Sequence, residues 1–339
     1  MSKIHNRTIL ISRTDGIGDV ILTLPLCGIL KECFPQTKIV FLGNNYTQPI
    51  IACCKDIDRF LSWDALKDLP QEKQTEALKQ EKIDVFLHIF PSKAIAKLAK
   101  QAAIPVRFGT SHRWYNRLYC NETINLSRRH SDLHEAQLNL LLLRPVLRIL
   151  NMKPLEWCFK HINFQNTAAN DYKDLIEQGK FNLILHPKSN KSAREWGETN
   201  FCRLIDLLPS DRFKVFVCGT KQEGDMIRQS ILETKKNRII DLTGQFSLSE
   251  YIDFIAQADG LIAASTGPLH ISAILNKHSI GLFPPIRPMN PQRWRPLGEK
   301  VKIFCEDKEC NRCKKTSECQ CMQAISPNAV AEYLLSCTK

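Results

Sequence analysis

Short apolar segments of strand length alternate with helix-like segments along almost the whole chain. The predicted strands are residues 8–12, 38–42, 59–63, 84–90 and 106–109, and then residues 182–186, 214–218, 238–242, 260–264 and 279–283. The predicted helices include residues 19–34, 65–81, 134–150 and 248–257, and residues 113–129 are predicted to be irregular. Strands that alternate with helices in this way form parallel sheets covered by helices on both faces. A polar stretch at residues 151–170 separates the two series. The sequence therefore predicts an α/β protein with two doubly wound domains, residues 1–160 and 161–339. The last helix of the second domain is a candidate to pack back on the first domain.

The composition limits the classes of protein to which the chain can belong. Of its 339 residues 43% are hydrophobic and 24% are charged, and the net charge is +12. No apolar run is long enough to span a membrane, and the first residues lack the apolar core of a signal peptide. We therefore expect a cytoplasmic protein whose positive charge favours anionic partners. The basic residues form no nucleic-acid-binding motif, so we expect no nucleic-acid partner.

The segment at residues 262–275 has the pattern of an anion site. An apolar strand is followed by Ser265, Thr266 and Gly267, and Pro268 stands where a helix begins. Proline is favoured there because its missing N–H is not needed in the first turn. A strand, a turn of small residues and a helix start direct free N–H groups towards one point, which favours a phosphate. An ordinary strand-to-helix turn would explain the same residues.

The first strand runs into Arg13-Thr-Asp-Gly-Ile-Gly-Asp19. This segment lacks the third glycine of the dinucleotide fingerprint and the Gly-Lys-Ser/Thr of a P-loop. Asp19 stands at a predicted helix start, where a carboxylate can cap the helix or, if it faces a substrate, accept a proton. Both interpretations of Asp19 stay open at this point.

A basic loop follows the first strand of the second half. Lys188, Lys191 and Arg194 lie within residues 186–196. Lysine and arginine at the carboxyl end of a strand suit a phosphate, although a solvated loop would have a similar composition. Together with the turn at Thr266, this loop favours a phosphorylated ligand.

Several short motifs, in this order and spacing, resemble those of the bacterial lipopolysaccharide heptosyltransferases of glycosyltransferase family 9. The pieces are Gly18-Asp19-Val20, Thr23-Leu24-Pro25, His134-Glu135, Arg194-Glu195-Trp196, Gly219 with Glu223, Phe246-Ser247-Leu248, Ser265-Thr-Gly-Pro-Leu-His270, Arg293-Trp-Arg-Pro-Leu-Gly298 and the cysteine cluster that runs into Cys321-Met-Gln-Ala-Ile-Ser-Pro327. Each piece is weak alone, but their common order covers about 300 residues, which gives them context.

The resemblance implies a GT-B fold, in which two Rossmann-like domains face each other across a cleft. The N-terminal domain would bind the acceptor and the C-terminal domain the nucleotide-sugar donor. The implied reaction is an inverting glycosyl transfer that uses no metal ion and no cofactor besides the donor. It would move a heptose from ADP-heptose to the inner core of a lipopolysaccharide or lipid A precursor, at the cytosolic face of the inner membrane.

The resemblance also implies roles for individual residues. Asp19 matches the general base that deprotonates the acceptor hydroxyl, and Arg194 matches a cation, usually lysine, that stabilises the leaving diphosphate. Glu223 matches the carboxylate on the ribose, and Phe246 an apolar side chain beside the adenine. The donor-binding residues implied in this way are Gly18, Lys191, Arg194, Glu223, Phe246, Ser265, Thr266, Gly267 and His270.

One departure concerns the donor sugar. Many members of the family carry aspartate where this chain has Ser265, and serine offers a hydrogen bond without charge. A transferase for another nucleotide sugar or another acceptor is therefore an alternative. A nucleotide- or glycan-binding protein without activity is a second alternative, although such a protein would not need the base Asp19.

The cysteines fall into two groups. Nine of the fourteen are scattered through apolar segments and are expected to be free thiols. The other five lie at Cys305, Cys310, Cys313, Cys319 and Cys321. Cys310 and Cys313 have the spacing of a zinc site, whereas Cys319 and Cys321 are closer than is usual. We expect no metal ion, with a structural zinc on Cys310, Cys313, Cys319 and Cys321 as the alternative.

Overall fold

The computed structural model describes residues 6–128, 131–147, 153–166, 170–307, 310, 313 and 319–338. The chain divides into two compact units, Met1–Gln165 and Asn166–Lys339. The division predicted from the sequence, after residue 160, lies five residues earlier. In the described part of the chain, no helix combines the length and the apolar character needed to cross a membrane.

The first unit contains a parallel sheet with six strands among the described residues. They are β1 (Thr8–Ser12), β2 (Lys38–Gly43), β3 (Arg59–Ser62), β4 (Val85–His88), β5 (Val106–Thr110) and β6 (Glu122–Ile124). Their order is β3-β2-β1-β4-β5-β6. The central strands β1 and β4 are almost wholly buried, as expected for a parallel sheet with both faces covered.

The helices of this unit are α1 (Ile17–Ile21), α2 (Leu24–Cys33), α3 (Gln48–Ala52), α4 (Trp63–Lys67), α5 (Gln71–Gln80), α6 (Lys93–Gln101), α7 (Trp114–Tyr119), α8 (Glu135–Leu141), α9 (Arg144–Leu147) and α10 (Leu155–Lys160). A 3₁₀ turn, Asn45–Thr47, precedes α3. The prediction treated residues 113–129 as irregular and was wrong there, because α7 and β6 are short and half-exposed and so carry little periodic apolar signal.

Proline divides helices that the sequence pattern predicted as single. The segment 19–34 is split into α1 and α2, and Pro25 lies in the first turn of α2. Pro70 likewise precedes α5 and separates it from α4. A proline ring clashes with the preceding turn and lacks an N–H, so the first helix ends before it and a new one begins. The predicted helix 134–150 also divides, into α8 and α9, and its last three residues lie outside the described part.

The second unit repeats the same topology. Its strands are β7 (Phe181–His186), β8 (Phe213–Val217), β9 (Ile240–Asp241), β10 (Gly260–Ala264), β11 (His278–Leu282) and β12 (Val301–Phe304). All pairs are parallel, in the order β12-β11-β10-β7-β8-β9. In both units the strands taken in chain order stand as 3-2-1-4-5-6, which is the order of a doubly wound nucleotide-binding sheet. The predicted α/β class with two doubly wound parallel sheets is confirmed.

The helices of the second unit are α11 (Glu198–Leu207), α12 (Lys221–Ile227), α13 (Leu248–Gln257), α14 (Gly267–Ile274), α15 (Pro291–Trp294), α16 (Gln320–Gln323) and α17 (Pro327–Cys337). A π-helical turn, Arg228–Leu232, continues α12. The last helix, α17, packs against α11, and its buried Val330 and Leu334 belong to the core of the second unit. This packing surface lies within its own unit. That the last helix also packs back on the first domain stays a prediction.

Candidate active site

The predicted site residues follow the central strands of the two sheets. In each sheet the first and fourth strands of the unit lie side by side, β1 beside β4 and β7 beside β10. The strand order reverses at that point, so the loops after the two strands diverge and leave a crevice where such sheets bind ligands. Asp19 lies beyond the end of β1, and Thr266 lies beyond the end of β10.

In the first unit, the residue directly after β1 is a buried arginine. Arg13 Nε donates to Asp15 Oδ1 at 2.6 Å, and its Nη1 donates to Glu135 Oε1 at 3.0 Å. Its Nη2 forms an ion pair with Asp19. The side chain of Arg13 is only 3% exposed, whereas Asp15 and Asp19 are each about one-fifth exposed. Arg13 therefore holds two accessible carboxylates at the edge of the sheet.

A second arginine, Arg128, binds the same buried Glu135. Arg128 forms an ion pair with the buried Glu135 and donates from Nη2 to Asn139 Oδ1 at 2.9 Å. Asn139 Nδ2 in turn donates to the carbonyl oxygen of Leu22, between α1 and α2, at 2.9 Å. Helix α8 is thus tied to the helix that carries Asp19. A buried charge is tolerated when it is paired and hydrogen-bonded in this manner.

The two accessible carboxylates differ in their surroundings. Burial raises the pKa of the Asp15 carboxyl to about 7; the Arg13 guanidinium opposes the rise and the nearby Asp19 carboxylate adds to it. Asp15 therefore takes up a proton at a higher pH than an ordinary aspartate. A carboxylate with a pKa near the working pH is a reasonable proton acceptor, so the structure adds Asp15 to Asp19 as a candidate base.

Sequence reasoning gave no role to Arg13, Asp15 or Glu135. Arg13 and Asp15 lie in the glycine-containing segment that follows the first strand, and Glu135 lies in the His134-Glu135 motif. The signal that could have indicated the cluster is Arg13 itself, which directly follows a buried strand. An arginine that becomes buried there needs a carboxylate partner. The identity of that partner could not be read locally, since Glu135 lies 122 positions away.

In the second unit, helix α14 begins at the carboxyl end of β10 without a side-chain cap. Thr266 is the N-cap residue, yet its side chain makes no capping hydrogen bond. Its Oγ1 is buried and has no hydrogen-bond partner among the described residues. Buried hydroxyls normally have a partner, and uncapped N–H groups at a helix start favour an anion. Thr266 and the first turn of α14 therefore form a site prepared for a polar, negatively charged ligand group.

The basic loop follows β7, the strand that pairs with β10, at the same carboxyl edge of the sheet. Lys188 Nζ is 2.7 Å from Glu195 and 3.4 Å from Glu198, so its charge is largely balanced within the loop. Lys191 is exposed and has a left-handed backbone, with φ of 65°. Arg194 is half-buried and donates from Nη2 to the carbonyl oxygen of Cys313 at 3.3 Å. Of the three predicted cations, Lys191 and Arg194 are the better candidates for an anionic ligand.

Glu223 has a structural role at the start of α12. Its Oε2 accepts hydrogen bonds from Thr220 N at 2.8 Å and Thr220 Oγ1 at 3.0 Å, which forms a capping box at the start of α12. The carboxylate also acts electrostatically on the buried His186 at the end of β7, so it lies close to the carboxyl edge of the sheet. The cap occupies one oxygen of Glu223, and the predicted contact with a ribose would use the other.

Phe246 is part of an aromatic cluster near the same edge. Its ring stacks on Phe254 with centroids 5.0 Å apart, and it lies nearly parallel to Tyr251 at 6.0 Å. The Tyr251 hydroxyl is 3.3 Å from His186 Nδ1, which connects the cluster to the end of β7. Phe246 is half-buried, so part of its ring is available to a planar ligand.

The remaining predicted residues lie in the same two places. Gly18 belongs to α1 beside Asp19, in the first unit. Ser265 and Gly267 are half-buried around Thr266, and His270 is buried in α14. Unit two therefore holds all the predicted donor-binding residues except Gly18, and it brings Arg194 and Thr266 to one edge of one sheet.

The cysteine cluster adjoins this edge. The Sγ atoms of Cys310, Cys313 and Cys321 all lie within 4.8 Å of one another. Cys319 is buried in the same core and adjoins Cys313. The other predicted free thiols are dispersed, and those of Cys27, Cys158 and Cys218 are buried in apolar surroundings.

Comparison with known proteins gives consistent matches over most of the chain. The family model for glycosyltransferase family 9 (heptosyltransferase) matches residues 72–323. A Haemophilus influenzae protein, named only provisionally as a glycosyltransferase, is 27% identical over 308 residues and covers 88% of each chain. Lipooligosaccharide heptosyltransferase 2 of Campylobacter jejuni (serotype O:6) is 23% identical over 337 residues, which is 94% of this chain and 95% of the relative.

Solved structures of similar proteins show the same fold. The Escherichia coli ADP-heptose lipopolysaccharide heptosyltransferase II superposes with a TM-score of 0.78 at 16% identity and covers 98% of both chains. The E. coli heptosyltransferase WaaC with ADP gives a TM-score of 0.72 at 17% identity, over 97% of this chain and 99% of that one. The predicted two-domain GT-B class is therefore confirmed.

Proposed function

Because this chain belongs to glycosyltransferase family 9, the heptosyltransferases, we propose that it transfers a heptose from ADP-heptose to the inner core of a lipopolysaccharide acceptor. The observation that carries the proposal is the uncapped start of α14, where the buried Thr266 hydroxyl has no partner among the described residues. The similar WaaC structure contains ADP, a ligand whose diphosphate has the charge that this site favours.

The second unit would hold the donor. The diphosphate lies at the first turn of α14, where the Thr266 hydroxyl and backbone N–H groups donate to it. Arg194 and Lys191 come from the loop after β7, the strand next to β10. Negative charge develops on the departing diphosphate during the displacement, and cations placed where charge develops lower the barrier. Phe246 supports this assignment as a ring against which the adenine packs.

The first unit would supply the base. Asp19 accepts the proton of the acceptor hydroxyl while the hydroxyl oxygen attacks the anomeric carbon of the donor sugar. The bond between that carbon and the ADP oxygen breaks in the same step. Attack from the side opposite the leaving group inverts the configuration. The ion pair with buried Arg13 fixes the position of the Asp19 carboxylate, and a fixed base in the correct geometry reacts faster than a mobile one. The decisive experiment is a product assay with purified protein, ADP-heptose and a truncated inner-core acceptor.

Replacing Thr266 with valine tests the donor site. The substitution keeps the shape of the side chain and removes the hydroxyl, so we expect the affinity for ADP to fall roughly tenfold, equivalent to one hydrogen bond to a charged group. Isothermal titration calorimetry of the wild type and of Thr266→Val measures the change. Thr234→Val, an exposed threonine of the same unit, should bind ADP as the wild type does. Unchanged ADP affinity in Thr266→Val would contradict the assignment.

Ser265 supports a second candidate, a transferase for a different nucleotide sugar. Ser265 lies beside Thr266 and carries no charge, whereas the resemblance to the family implies an aspartate at this position. Serine can bind a sugar hydroxyl but does so more weakly than a carboxylate. Calorimetry against ADP, UDP and GDP separates the candidates. A preference for ADP supports the ADP-heptose proposal, and a clear preference for UDP would overturn it.

An exposed patch on the first unit supports a place at an anionic membrane surface, where such an acceptor is held. The patch consists of Arg113, Trp114, Arg117 and Leu118 on and before α7, and all four are exposed. Trp114 and Leu118 are 63% and 55% exposed, and Lys93 Nζ lies 5.0 Å from the Trp114 ring centre. Tryptophan prefers the interface of a bilayer, and each basic residue adds about 1 kcal/mol of attraction to anionic lipid.

Removing the two arginines of this patch tests the membrane proposal. We expect Arg113→Gln with Arg117→Gln to weaken binding to vesicles containing phosphatidylglycerol roughly ten- to thirtyfold, as measured by sedimentation. The control, Arg203→Gln with Lys236→Gln, removes the same charge from exposed positions of the second unit and should change binding little. Equal losses in the two variants would mean that net charge, rather than this patch, attracts the protein.

A further inference from the structure

Three cysteine sulfurs converge beside the loop that carries Arg194. Cys310 and Cys313 precede α16, and Cys321 lies within it. Their Sγ atoms are all within 4.8 Å of one another, and Cys313 Sγ is 3.8 Å from Cys321 Sγ. The backbone N–H of Cys313 also donates to Cys310 Sγ at 3.4 Å. Hydrogen bonds of this kind orient the ligands of thiolate metal centres.

The distance of 3.8 Å between Cys313 Sγ and Cys321 Sγ is the one expected between two sulfurs of a tetrahedral thiolate centre. Zinc binds cysteine sulfur at about 2.3 Å, so the edge of a regular tetrahedron of sulfurs measures about 3.8 Å. A disulfide would bring the two sulfurs to about 2.05 Å. Cys319 lies outside this group of three sulfurs, but it is buried and adjoins Cys313, so it is the candidate for the fourth ligand. The chain spacing of Cys319 and Cys321 argued against zinc in the sequence, but the fold brings the Cys321 sulfur beside those of Cys310 and Cys313.

We propose that Cys310, Cys313, Cys319 and Cys321 form a structural site for one tetrahedral metal ion, with zinc as the expected metal. Cys313, Cys319 and Cys321 are buried, and four thiolates fill the coordination shell, so the ion would have no open position for catalysis. The reaction proposed above therefore remains independent of metal at the reacting atoms.

The segment that carries this site also supports the basic loop. Arg194 Nη2 donates to the carbonyl oxygen of Cys313 at 3.3 Å. Trp196 Nε1 donates to the carbonyl oxygen of Ile325 at 2.9 Å, and Asn200 Nδ2 donates to that of Gln323 at 2.9 Å. An ion bound to Cys313 and Cys321 would hold the backbone that receives these bonds. The metal site would thus help to position Arg194. The importance of this for catalysis rests on the proposed function, but the binding of the metal does not.

Elemental analysis of the purified full-length protein tests the site without any substrate. We expect about one equivalent of zinc per chain by plasma mass spectrometry, and at least a fivefold loss in both Cys313→Ser and Cys321→Ser. Cys33→Ser, an exposed cysteine at the end of α2, should retain the full amount. One equivalent of iron with the same dependence on these cysteines would support the site equally, because tetrahedral thiolate sets bind either metal.

A second measurement covers the case in which the serine variants fail to fold. The wild-type protein is stripped of metal with a chelator under reducing conditions and titrated with Co²⁺. Saturation at one equivalent, with the intense visible absorption of tetrahedral cobalt and a sulfur-to-cobalt charge-transfer band, would support the site. Less than about 0.2 equivalents of metal in the wild type and no such spectrum would overturn it, as would disulfides among these cysteines in the purified protein. A failed transfer assay would leave these readouts unaffected.

Discussion

Replacing Asp19 with asparagine should reduce kcat by roughly 10²- to 10⁴-fold, the range that general-base catalysis contributes. The asparagine amide has nearly the shape of the carboxylate but cannot accept the proton of the acceptor hydroxyl. Steady-state assays with ADP-heptose and a truncated core acceptor measure the loss.

The affinity for ADP should stay within about twofold of the wild type in this variant. Asp19 lies in the first unit, whereas the residues proposed to bind the donor phosphates lie in the second. Calorimetry with ADP therefore distinguishes a lost base from a damaged fold. If transfer continued at the wild-type rate while ADP still bound, Asp19 would not be the base. If ADP bound and no transfer occurred even in the wild type, the alternative of a binding protein without activity would gain support.

The neighbouring carboxylate provides the matched variant. Asp15 contacts the same guanidinium at 2.6 Å and is exposed to a similar extent, so Asp15→Asn perturbs Arg13 in nearly the same way. We expect a smaller loss of kcat in Asp15→Asn than in Asp19→Asn. The reverse order would assign the proton transfer to Asp15, which its raised pKa permits.

Replacing Glu135 with glutamine should produce the largest loss of stability among the site variants, about 3 kcal/mol. Glu135 is 1% exposed and pairs with both Arg13 and Arg128. Its glutamine form keeps the volume but leaves the buried Arg13 and the partly buried Arg128 without their shared anion. Breaking a buried ion pair in this way is strongly destabilising. Urea denaturation of the wild type and the variant measures the change in the free energy of unfolding.

An exposed ion pair in the same unit gives the control. Lys67 Nζ lies 2.7 Å from Asp64 Oδ1, and both side chains are at least 30% exposed. Because solvent screens such pairs, Lys67→Gln should leave the urea midpoint nearly unchanged. A similar midpoint for Glu135→Gln and the wild type would show that the Arg13 cluster contributes little to the fold. Glu135 would then be expected to matter, if at all, only for the position of Asp19.

Parts of this architecture could be predicted from short stretches of the chain. The strand 260–264 and the helix 248–257 were predicted at the positions that the structure shows, since an apolar run and a regular helical pattern are local properties. The prolines that divide α1 from α2 and α4 from α5 were also visible, but the apolar periodicity that continues past them concealed their effect. The turn at Thr266 was recognisable because small residues and a proline mark a helix start.

The structure gives several of the predicted residues partners that were not predicted. Lys188 was predicted as a phosphate-binding cation, but the fold turns it onto Glu195 and Glu198. Glu223 was predicted from the resemblance as a ribose ligand, and the structure shows in addition that it caps α12. The cysteine spacing favoured free thiols, whereas the three-dimensional arrangement brings three sulfurs within 4.8 Å. The partners of Lys188 and Glu223 lie within ten residues of them, whereas the approach of Cys321 to Cys310 and Cys313 depends on how the chain packs.

The alternation of strands and helices was therefore sufficient to define the class of fold, because burial on both faces of a parallel sheet imposes its pattern on each strand separately. The charge arrangement around Asp19 was decided only by tertiary structure. Arg13 meets Glu135 across 122 positions of sequence, and the energy of a buried charge depends on which groups the fold places within a few ångströms of it.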